Sequence, residues 1–318
     1  MLNVEVSVLI PSYNGCDMLL KCLEAVFKHT RDVSCEVIVI DNGSVDGTEQ
    51  VVHARFPSIQ LVRLPVNQGF VRACNVGAAQ ARGRYILLLS NDVFIENNFI
   101  KILSDFLTAH PRCGAAGGAL TIVSTGKPES SYGSYPSLSE ALADALFLPI
   151  LVPGLCTKAR FGRVDGVEQP FTADYVTGAD LMVRRELLRE GAVFDERFWA
   201  YYEDVDLCRH VWDSDFEVWV VPAAHGTHMG SATYGREPES KIKLQCAGIG
   251  KFLRKYHRSP YVRLAQGLYA WTRLIKIIVR FFQFRICFWN SSTRRYYRED
   301  CWIHCTFLLG TMSKDGWQ

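Results

Sequence analysis

Short apolar runs alternate with segments of helical spacing over the first 120 residues. The runs are rich in Val, Ile and Leu, which is typical of buried strands, and they lie at 4–10, 35–40, 59–64, 85–89 and 113–120. Apolar residues recur every three or four positions between them, which predicts helices over 17–28, 71–81 and 98–110, with another starting at Thr48. Strands alternating with helices predict an α/β fold with a doubly wound, mostly parallel sheet and helices on both faces.

The run at 85–89 ends in the polar pair Asn91-Asp92. In open α/β sheets, ligands bind at the carboxyl ends of the strands, which is where Asp92 is expected. A carboxylate there suits a hard divalent cation, and a cation there suits a diphosphate. We therefore expect Asp92 to help bind a metal ion under a nucleotide.

Three polar turns, starting at Pro11, Asp41 and Asn91, follow strands that should end at the same edge of the sheet. Each turn alone is explained by the turn-forming chemistry of Asn, Asp, Gly and Ser. Together with Asn67 and Asn75, however, the three turns favour a nucleotide site.

The alternating pattern breaks over 121–175, where one helix is predicted at 138–148. A loop this long in a compact domain is usually functional or mobile. Further on, Glu203, Asp204 and Asp206 lie beside aromatic residues. Acidic residues also suit the first turn of an ordinary surface helix. The aromatic neighbours favour a site instead, because desolvation can tune a carboxylate into a base.

A strand at 217–221 precedes a segment of small residues that contains His225 and His228. A single histidine is more often structural than a ligand. In a chain that already offers Asp92, a histidine on the loop leaving a strand is a candidate metal ligand.

The segment 261–289 predicts a long helix rich in Trp, Phe, Ile and Leu. Its residues Arg273, Lys276 and Arg280 share one helical face. Five basic residues in the segment argue against a transmembrane span and favour a helix lying at a membrane surface. The alternative is a helix that packs on the catalytic domain or on a second copy in a homodimer.

Charge is divided unevenly along the 318 residues. Residues 1–250 contain 22 Lys and Arg against 30 Asp and Glu, whereas 251–318 contain 13 against 3. The apolar residues between the cations favour anionic lipid over nucleic acid as the partner of this segment. Eleven scattered cysteines without a CxxC pair indicate reduced thiols, and the N-terminus shows no signal peptide, so we expect a cytoplasmic protein.

Six stretches, taken in order, resemble family 2 glycosyltransferases of the GT-A fold, with the rhamnosyltransferase-like bacterial members the most similar in pattern. The stretches are VSVLIPSYNG, VIVIDNGSVDGT, NQGFVRACNVG, ILLLSNDV, VTGADLMVRRELLREGAVFDERFWAYYEDVDLC and PAAHGTHMGS. The resemblance spans residues 5 to about 235. It implies a catalytic domain over 1–235, with a nucleotide-sugar half at about 1–120 and an acceptor half at about 121–235, followed by a basic helical segment over 236–318.

The resemblance also implies roles for single residues. Asp204 matches the catalytic base, with Glu203 as its neighbour, and His228 matches a metal-binding histidine. Asp92 matches the last carboxylate of the family's metal motif, whose first position is here Ser90 or Asn91. The residues implied at the nucleotide-sugar are Pro11, Tyr13, Asp41, Ser44, Asn67, Gly69, Asn75, Asn91 and Asp92. Those expected on the acceptor side are Gly178, Asp180, Trp199 and Tyr202.

The activity implied is inverting, metal-dependent transfer of rhamnose, or of another deoxyhexose or hexose, from a nucleotide-diphosphate-sugar. The cofactor would be Mg²⁺ or Mn²⁺, and the acceptor a lipid-linked or polysaccharide glycan of the cell envelope. The location would be the inner face of the cell membrane. Two alternatives stay open: a metal-dependent nucleotidyltransferase, although Pro11–Gly15 contains no Lys or Arg for a triphosphate, and a catalytically silent scaffold of the same fold.

Overall fold

A computed structural model describes residues 4–148, 162–230, 238–286, 303–306 and 308 of the chain. The predicted end of the long C-terminal helix, at 287–289, lies outside the described residues. The chain divides into two compact units. The first contains 1–135, 159–199 and 203–233, and the second contains 136–158, 200–202 and 234–318. The predicted domain boundary at 235 stays a prediction.

Nine strands of the first unit form one sheet. Their bounds are β1 Val6–Ser12, β2 Cys35–Asp41, β3 Gln60–Arg63, β4 Tyr85–Leu88, β5 Val93–Ile95, β6 Cys113–Ile122, β9 Phe171–Thr172, β11 Met182–Arg184 and β12 Glu217–His228. Three further strands, β7 Ser130–Gly133, β8 Gly162–Arg163 and β10 Tyr175–Val176, form a small sheet in the order β10-β7-β8.

The described helices alternate with the strands over the first 110 residues, as the pattern predicts. They are α1 Cys16–His29, α2 Thr48–Arg55, α3 Phe70–Gln80 and α4 Phe99–Ala109, followed later by α5 Leu138–Ala145, α6 Glu203–Asp213, α7 Pro238–Tyr256 and α8 Ser259–Ile286. Helix α7 falls inside the segment 236–318 that is predicted to be helical, although its bounds are not predicted. Among the described residues, no helix has the length and apolar content needed to cross a membrane.

The main sheet runs in the order β3-β2-β1-β4-β11-β6-β12-β5, with β9 beside β12. The first four strands of this order are parallel, and so are β6 and β12, whereas β11 and β5 run antiparallel to their neighbours. Every residue of β1 and β4 is buried. Parallel strands that are covered on both faces are buried on both sides, which is why their sequences are largely apolar.

The register of these strands determines where the functional turns lie. Ser12 pairs with Asp41 at the ends of β1 and β2, and Leu9 pairs with Leu88 of β4. The turns that follow these three strands therefore leave the same edge of the sheet. This is the edge at which the sequence analysis expects a ligand.

Strand β12 is longer than the sequence predicts. The pattern predicts a strand over 217–221 and a loop beyond it, whereas β12 continues to His228. Its pairing with β6 shifts register between Val220 and His225, and its last residues pair with β5. The irregularity around Pro222 hides this second half of the strand, because a proline interrupts an apolar run.

Candidate active site

The turns after β1 and β2 are joined by hydrogen bonds. The backbone N–H of Asn14 donates to Oγ of Ser44 over 3.0 Å, and the N–H of Ser44 donates to Oδ1 of Asp41 over 2.9 Å. Asp41 is fully buried, and its other oxygen, Oδ2, lies 4.0 Å from Nη1 of Arg63 in an ion pair but accepts no hydrogen bond from the described residues. A buried carboxylate oxygen without a donor is costly, which makes Oδ2 available to a hydroxyl or amine of a ligand.

A second network links the turn after β2 to the start of α3. Asn42 donates from Nδ2 to Oδ1 of Asn67 over 3.0 Å and to the carbonyl oxygen of Gly69 over 3.1 Å. Gly69 has a φ of +86°, and a side chain there would come within 2.8 Å of the Trp199 ring. Trp199 is about half exposed and lines a cavity of about 490 Å³ with Asn67. The structure thus brings Trp199, predicted on the acceptor side, against a residue predicted at the nucleotide.

Asp92 and His228 meet because β5 and β12 are paired. His228 lies opposite Val93 in this pair, and the N–H of Met229 donates to the carbonyl oxygen of Asp92. Nε2 of His228 lies 3.1 Å from Oδ1 of Asp92. On the other side of the ring, Nδ1 lies 2.6 Å from Oε2 of Glu129. His225, the alternative histidine, is exposed.

This donor set fits a divalent cation that also binds a diphosphate. Among the described residues, no three His, Cys, Asp or Glu side chains are grouped as a metal site. A carboxylate oxygen and an imidazole nitrogen 3.1 Å apart are a two-ligand set, and Mg²⁺ sites commonly combine one or two protein ligands with phosphate oxygens and water. Asp92 and His228 are thus the residues that would bind the cation.

The electrostatics of His228 reflect its two acidic neighbours. Burial opposes charging of the imidazole, but the hydrogen bonds to Asp92 and Glu129 outweigh it and raise the pKa of His228 to about 10. Since a metal ligand must lose its proton, a cation binding here competes with this proton.

Glu203 and Asp204 begin α6 and differ in their surroundings. Glu203 is buried, and its Oε2 has no hydrogen-bond partner in the part of the chain that the structure describes. Asp204 is only partly buried, and both of its oxygens accept backbone N–H groups: Oδ2 from Gly178 over 2.9 Å and Oδ1 from Val205 over 2.8 Å. Asp206 is fully buried in an ion pair with Arg189, which is a structural contact.

The two carboxyl groups titrate together. Burial raises the pKa of Glu203 well above its usual range, and the charge of Asp204 raises it further. Burial also raises the pKa of Asp204, while the N–H groups of Gly178 and Val205 oppose that shift. Adjacent carboxylates cannot both ionise easily, so we assign the ionised form to Asp204, which has the donors, and the neutral form to Glu203.

Asp180 lies two residues after Gly178, whose N–H donates to Asp204. Its Oδ2 accepts the N–H of Gly118 over 2.7 Å. Its Oδ1 has no hydrogen-bond partner among the described residues, although Asp180 is almost completely buried. Burial raises the pKa of Asp180 to about 7, against the effect of the Gly118 N–H.

Four other predicted residues differ in their contacts and burial. Asn91 donates to Oγ of Ser12 at the end of β1, whose Pro11 is buried, whereas Tyr13 is partly exposed. The amide of Asn75 makes two hydrogen bonds to the backbone of Phe194, both 2.9 Å long. These bonds use its carbonyl oxygen and a donor, so we leave Asn75 out of the proposed nucleotide site.

Tyr202 belongs to the second unit. Its ring centroid lies 6.3 Å from that of Phe252 on α7. Tyr202 and the preceding Tyr201 both have positive φ angles, at +72° and +67°. These are strained values for aromatic residues, and the pair directly precedes Glu203 in the chain.

The sequence analysis did not single out Asn14, Asn42 and Glu129. Asn14 and Asn42 lie inside quoted motifs, and their hydrogen bonds explain why amides occur there. Glu129 lies in the segment where the pattern breaks, and it has no sequence signal, because its role depends on where β6 and β12 place His228.

The chain matches a family model described as "Glycosyl transferase family 2" over residues 7–171. A curated relative from Mycobacterium tuberculosis, an N-acetylglucosaminyl-diphospho-decaprenol L-rhamnosyltransferase, is 29% identical over 249 residues. The alignment covers 74% of this chain and 76% of that relative.

Two solved structures have the same fold. Mannosyltransferase PcManGT from Pyrobaculum calidifontis, in complex with GDP-Man and Mn²⁺, aligns with a TM-score of 0.57 at 14% identity and covers 98% of this chain and 87% of its own. GalNAc-T7 with UDP, GalNAc and Mn²⁺ aligns with a TM-score of 0.55 at 15% identity, over 76% of this chain and 48% of that one. The GT-A fold predicted from the sequence is confirmed.

Proposed function

Since the chain belongs to glycosyl transferase family 2, we propose that it transfers a sugar from a nucleotide-diphosphate-sugar to a lipid-linked glycan, with inversion and with a divalent cation. The donor sugar that best suits its relatives is rhamnose or another hexose. Family membership also answers the choice between a glycosyltransferase and a nucleotidyltransferase in favour of the former.

This proposal rests on a short backbone segment that contacts both the candidate base, Asp204, and the candidate metal motif that ends at Asp92. Gly178 donates its N–H to Asp204, and the next residue, Ala179, accepts the N–H of Ser90 over 2.8 Å. Ser90 lies two residues before Asp92. The candidate base and the candidate metal motif are therefore both hydrogen-bonded to the backbone of two consecutive residues, Gly178 and Ala179.

The donor half of the mechanism uses Asp92, His228 and the turns after β1 and β2. Asp92 and His228 would bind the divalent cation, which supplies positive charge beside the diphosphate as the glycosidic bond breaks. Asp41 would accept a hydrogen bond from a donor group of the nucleoside through Oδ2, whose ion-pair partner Arg63 lies 4.0 Å away. Asn67 and Gly69 shape the turn, and Trp199 offers its exposed ring face beside it.

The acceptor half uses Asp204. As the acceptor oxygen attacks the anomeric carbon, Asp204 accepts the hydroxyl proton, and the nucleoside diphosphate leaves from the opposite face of the sugar. A single displacement of this kind inverts the anomeric configuration. Buried Glu203, which is kept neutral, limits the local negative charge, so that Asp204 is the carboxylate that reacts.

A lipid-linked acceptor is supported by the name of the M. tuberculosis relative and by helix α8. Six exposed apolar side chains of α8 lie on one face at helical spacing: Leu264, Trp271, Leu274, Ile278, Phe281 and Phe282. We call them the apolar stripe. The helix contains five Lys or Arg and no Asp or Glu. Trp and Phe on one face of a cationic helix suit the surface of an anionic membrane.

The structure changes one detail of the predicted membrane contact. Arg273 and Lys276 are partly covered within the second unit. Nη1 of Arg273 lies 3.1 Å from Nδ1 of His304. The side chain of Arg280 is outside the described residues. We therefore expect burial of the apolar stripe to contribute more to the free energy of membrane binding than the cations do. A second copy suits the stripe less well, because two copies of α8 would bring like charges together.

The activity is tested by incubating the enzyme and Mn²⁺ with nucleotide-sugars and a polyprenyl-diphosphate-linked N-acetylglucosamine acceptor. We expect one donor to give a longer lipid-linked product whose new bond is inverted relative to the donor. A retained configuration would contradict the mechanism. A silent scaffold would neither extend the acceptor nor hydrolyse any donor.

A further inference from the structure

Glu129 lies on the far side of the His228 ring from Asp92. Its Oε2 is 2.6 Å from Nδ1 of His228, whereas Asp92 approaches Nε2 at 3.1 Å. The Glu129 side chain is 22% exposed, that of His228 13% and that of Asp92 6%. The imidazole is thus placed between two largely buried carboxylates that approach opposite nitrogens.

The backbone, rather than the reach of a flexible side chain, brings Glu129 to this position. After β6, the chain turns back with the N–H of Ile122 donating to Lys127 and the N–H of Glu129 donating to Leu120. His228 pairs with Ile122 across β6 and β12, and its carbonyl oxygen accepts the N–H of Val123. The same short turn therefore contacts His228 and positions Glu129.

We propose that Glu129 is a positioning residue for the donor site, resting on the metal-dependent function proposed above. By accepting the Nδ1–H of His228, its carboxylate selects the tautomer that leaves the Nε2 lone pair facing Asp92, where the cation would bind. A carboxylate behind a ligating histidine fixes the ring and increases its basicity. Without Glu129, the neutral ring can place its hydrogen on Nε2 and donate it to Asp92, which blocks both ligand atoms.

Glu129 acts through His228 and not as a ligand. The ring lies between Oε2 of Glu129 and Oδ1 of Asp92, so the Glu129 oxygen faces Nδ1 and not the nitrogen directed at Asp92. The effect of removing Glu129 should therefore depend on the presence of His228.

The test measures Mn²⁺ affinity by calorimetry in the presence of a saturating nucleoside diphosphate. Glu129→Ala should weaken Mn²⁺ binding about 10- to 100-fold, the range for lost carboxylate support of a ligating histidine. Glu129→Gln should recover most of the affinity, because its carbonyl oxygen still accepts the Nδ1–H. The control, Glu168→Ala, removes an exposed carboxylate from the same unit and should change nothing.

A double-mutant cycle separates positioning from general stability. In a His228→Ala background, Glu129→Ala should cause no further loss of Mn²⁺ affinity. In transfer assays, Glu129→Ala should raise the Mn²⁺ concentration required for half-maximal rate and leave kcat at saturating Mn²⁺ near that of the wild type. Long-range ¹H–¹⁵N spectra with Mg²⁺ should show His228 protonated at Nδ1.

The outcomes distinguish this inference from the proposed function. Wild-type Mn²⁺ affinity in Glu129→Ala, equal losses in Glu129→Ala and Glu129→Gln, or a full further loss in the His228→Ala background would each overturn the positioning role alone. If Glu129→Ala does not fold, Glu129→Gln and the wild-type spectrum decide, and a proton on Nε2 in the Mg²⁺ complex overturns the inference. A wild-type chain whose nucleoside diphosphate binding ignores Mn²⁺ would contradict the proposed function itself.

Discussion

The backbone N–H of Gly178 donates to Oδ2 of Asp204 over 2.9 Å. With the N–H of Val205 on Oδ1, this bond fixes the carboxylate and stabilises its charge while leaving it partly exposed. Glu203, one residue earlier, is buried and its Oε2 has no donor. Of the two acids, Asp204 is the more exposed, and it is the one that we propose as the base.

Asp204→Asn should therefore retain donor binding and lose transfer. The amide preserves the shape of the carboxylate but cannot accept the hydroxyl proton, so we expect kcat to fall about 10²- to 10⁴-fold, the usual contribution of a general base. Glu203→Gln replaces a neutral acid by a neutral amide and should cost less than about tenfold, a change of 1.4 kcal/mol. Steady-state kinetics and donor-binding titrations of the two variants measure these changes. The reverse order of effects would make Glu203 the base.

The pH dependence of transfer follows from the raised pKa of Asp204. Because the base must be deprotonated, kcat/KM should rise with pH and level off once Asp204 is ionised. Burial raises this pKa, so the rise should occur above the range of an ordinary aspartate, whose pKa is about 3.9. A pH profile of the wild type and of the residual activity of Asp204→Asn measures this. Persistence of the same rise in the variant would assign it to another group.

Gly69→Ala should weaken donor binding through Trp199. The new Cβ would lie 2.8 Å from the indole ring and must displace it. Gly191→Ala is the matched control, because Gly191 has the same φ of +86° but nothing within 4 Å of an added Cβ. Gly69→Ala should lose about 1 to 3 kcal/mol of unfolding free energy, because a φ of +86° with a ψ of 162° is a conformation essentially restricted to glycine. Gly191→Ala should also lose stability, because its φ is positive. Only Gly69→Ala should lose nucleoside diphosphate affinity, by about tenfold or 1.4 kcal/mol. Equal affinities in titrations of the two variants would remove Trp199 from the site.

Replacing Phe281 and Phe282 of the apolar stripe by Ser should release the full chain from vesicles. Burial of each ring contributes about 1 kcal/mol or more, so the ratio of bound to free protein should fall at least about tenfold in flotation with anionic vesicles. The control, Val167→Ser, removes an exposed apolar side chain from the first unit.

Unchanged flotation of the double variant would contradict the membrane role of the stripe. Light scattering tests the alternative, in which a second copy of the chain covers the stripe. A wild-type dimer that the double variant loses, without any vesicle binding, would indicate that a second copy covers the stripe.

Most of the first sheet could be predicted from the sequence, because β1, β2 and β4 are buried apolar runs ended by polar turns. The partnership of Asp92 with a histidine could be predicted from motif order. The continuation of β12 to His228 could not, since Pro222 breaks its pattern. Neither could the contact of Trp199 with Gly69 nor that of Glu129 with His228, because both join segments far apart in sequence.

Which face of α8 is exposed to solvent could not be predicted from the sequence. Helical spacing correctly predicts that Arg273 and Lys276 share a face, but not that this face is partly covered. The sequence gives the periodicity of a helix, whereas the neighbouring helices determine which face reaches solvent. The bounds of α7 within the predicted helical segment 236–318 could not be read from the pattern, because its apolar residues are interspersed with Lys and Gly.

The central claim is that Asp92 anchors a metal-dependent nucleotide-sugar site, and calorimetric titration tests it most directly. UDP, GDP and dTDP are each titrated into the wild type, Asp92→Ala and the exposed-acid control Asp105→Ala, with and without Mn²⁺. We predict that at least one nucleoside diphosphate binds the wild type and the control only with Mn²⁺. Asp92→Ala should weaken that binding at least about 100-fold, or 2.7 kcal/mol. Equal Mn²⁺-dependent binding by Asp92→Ala and the wild type would contradict the account.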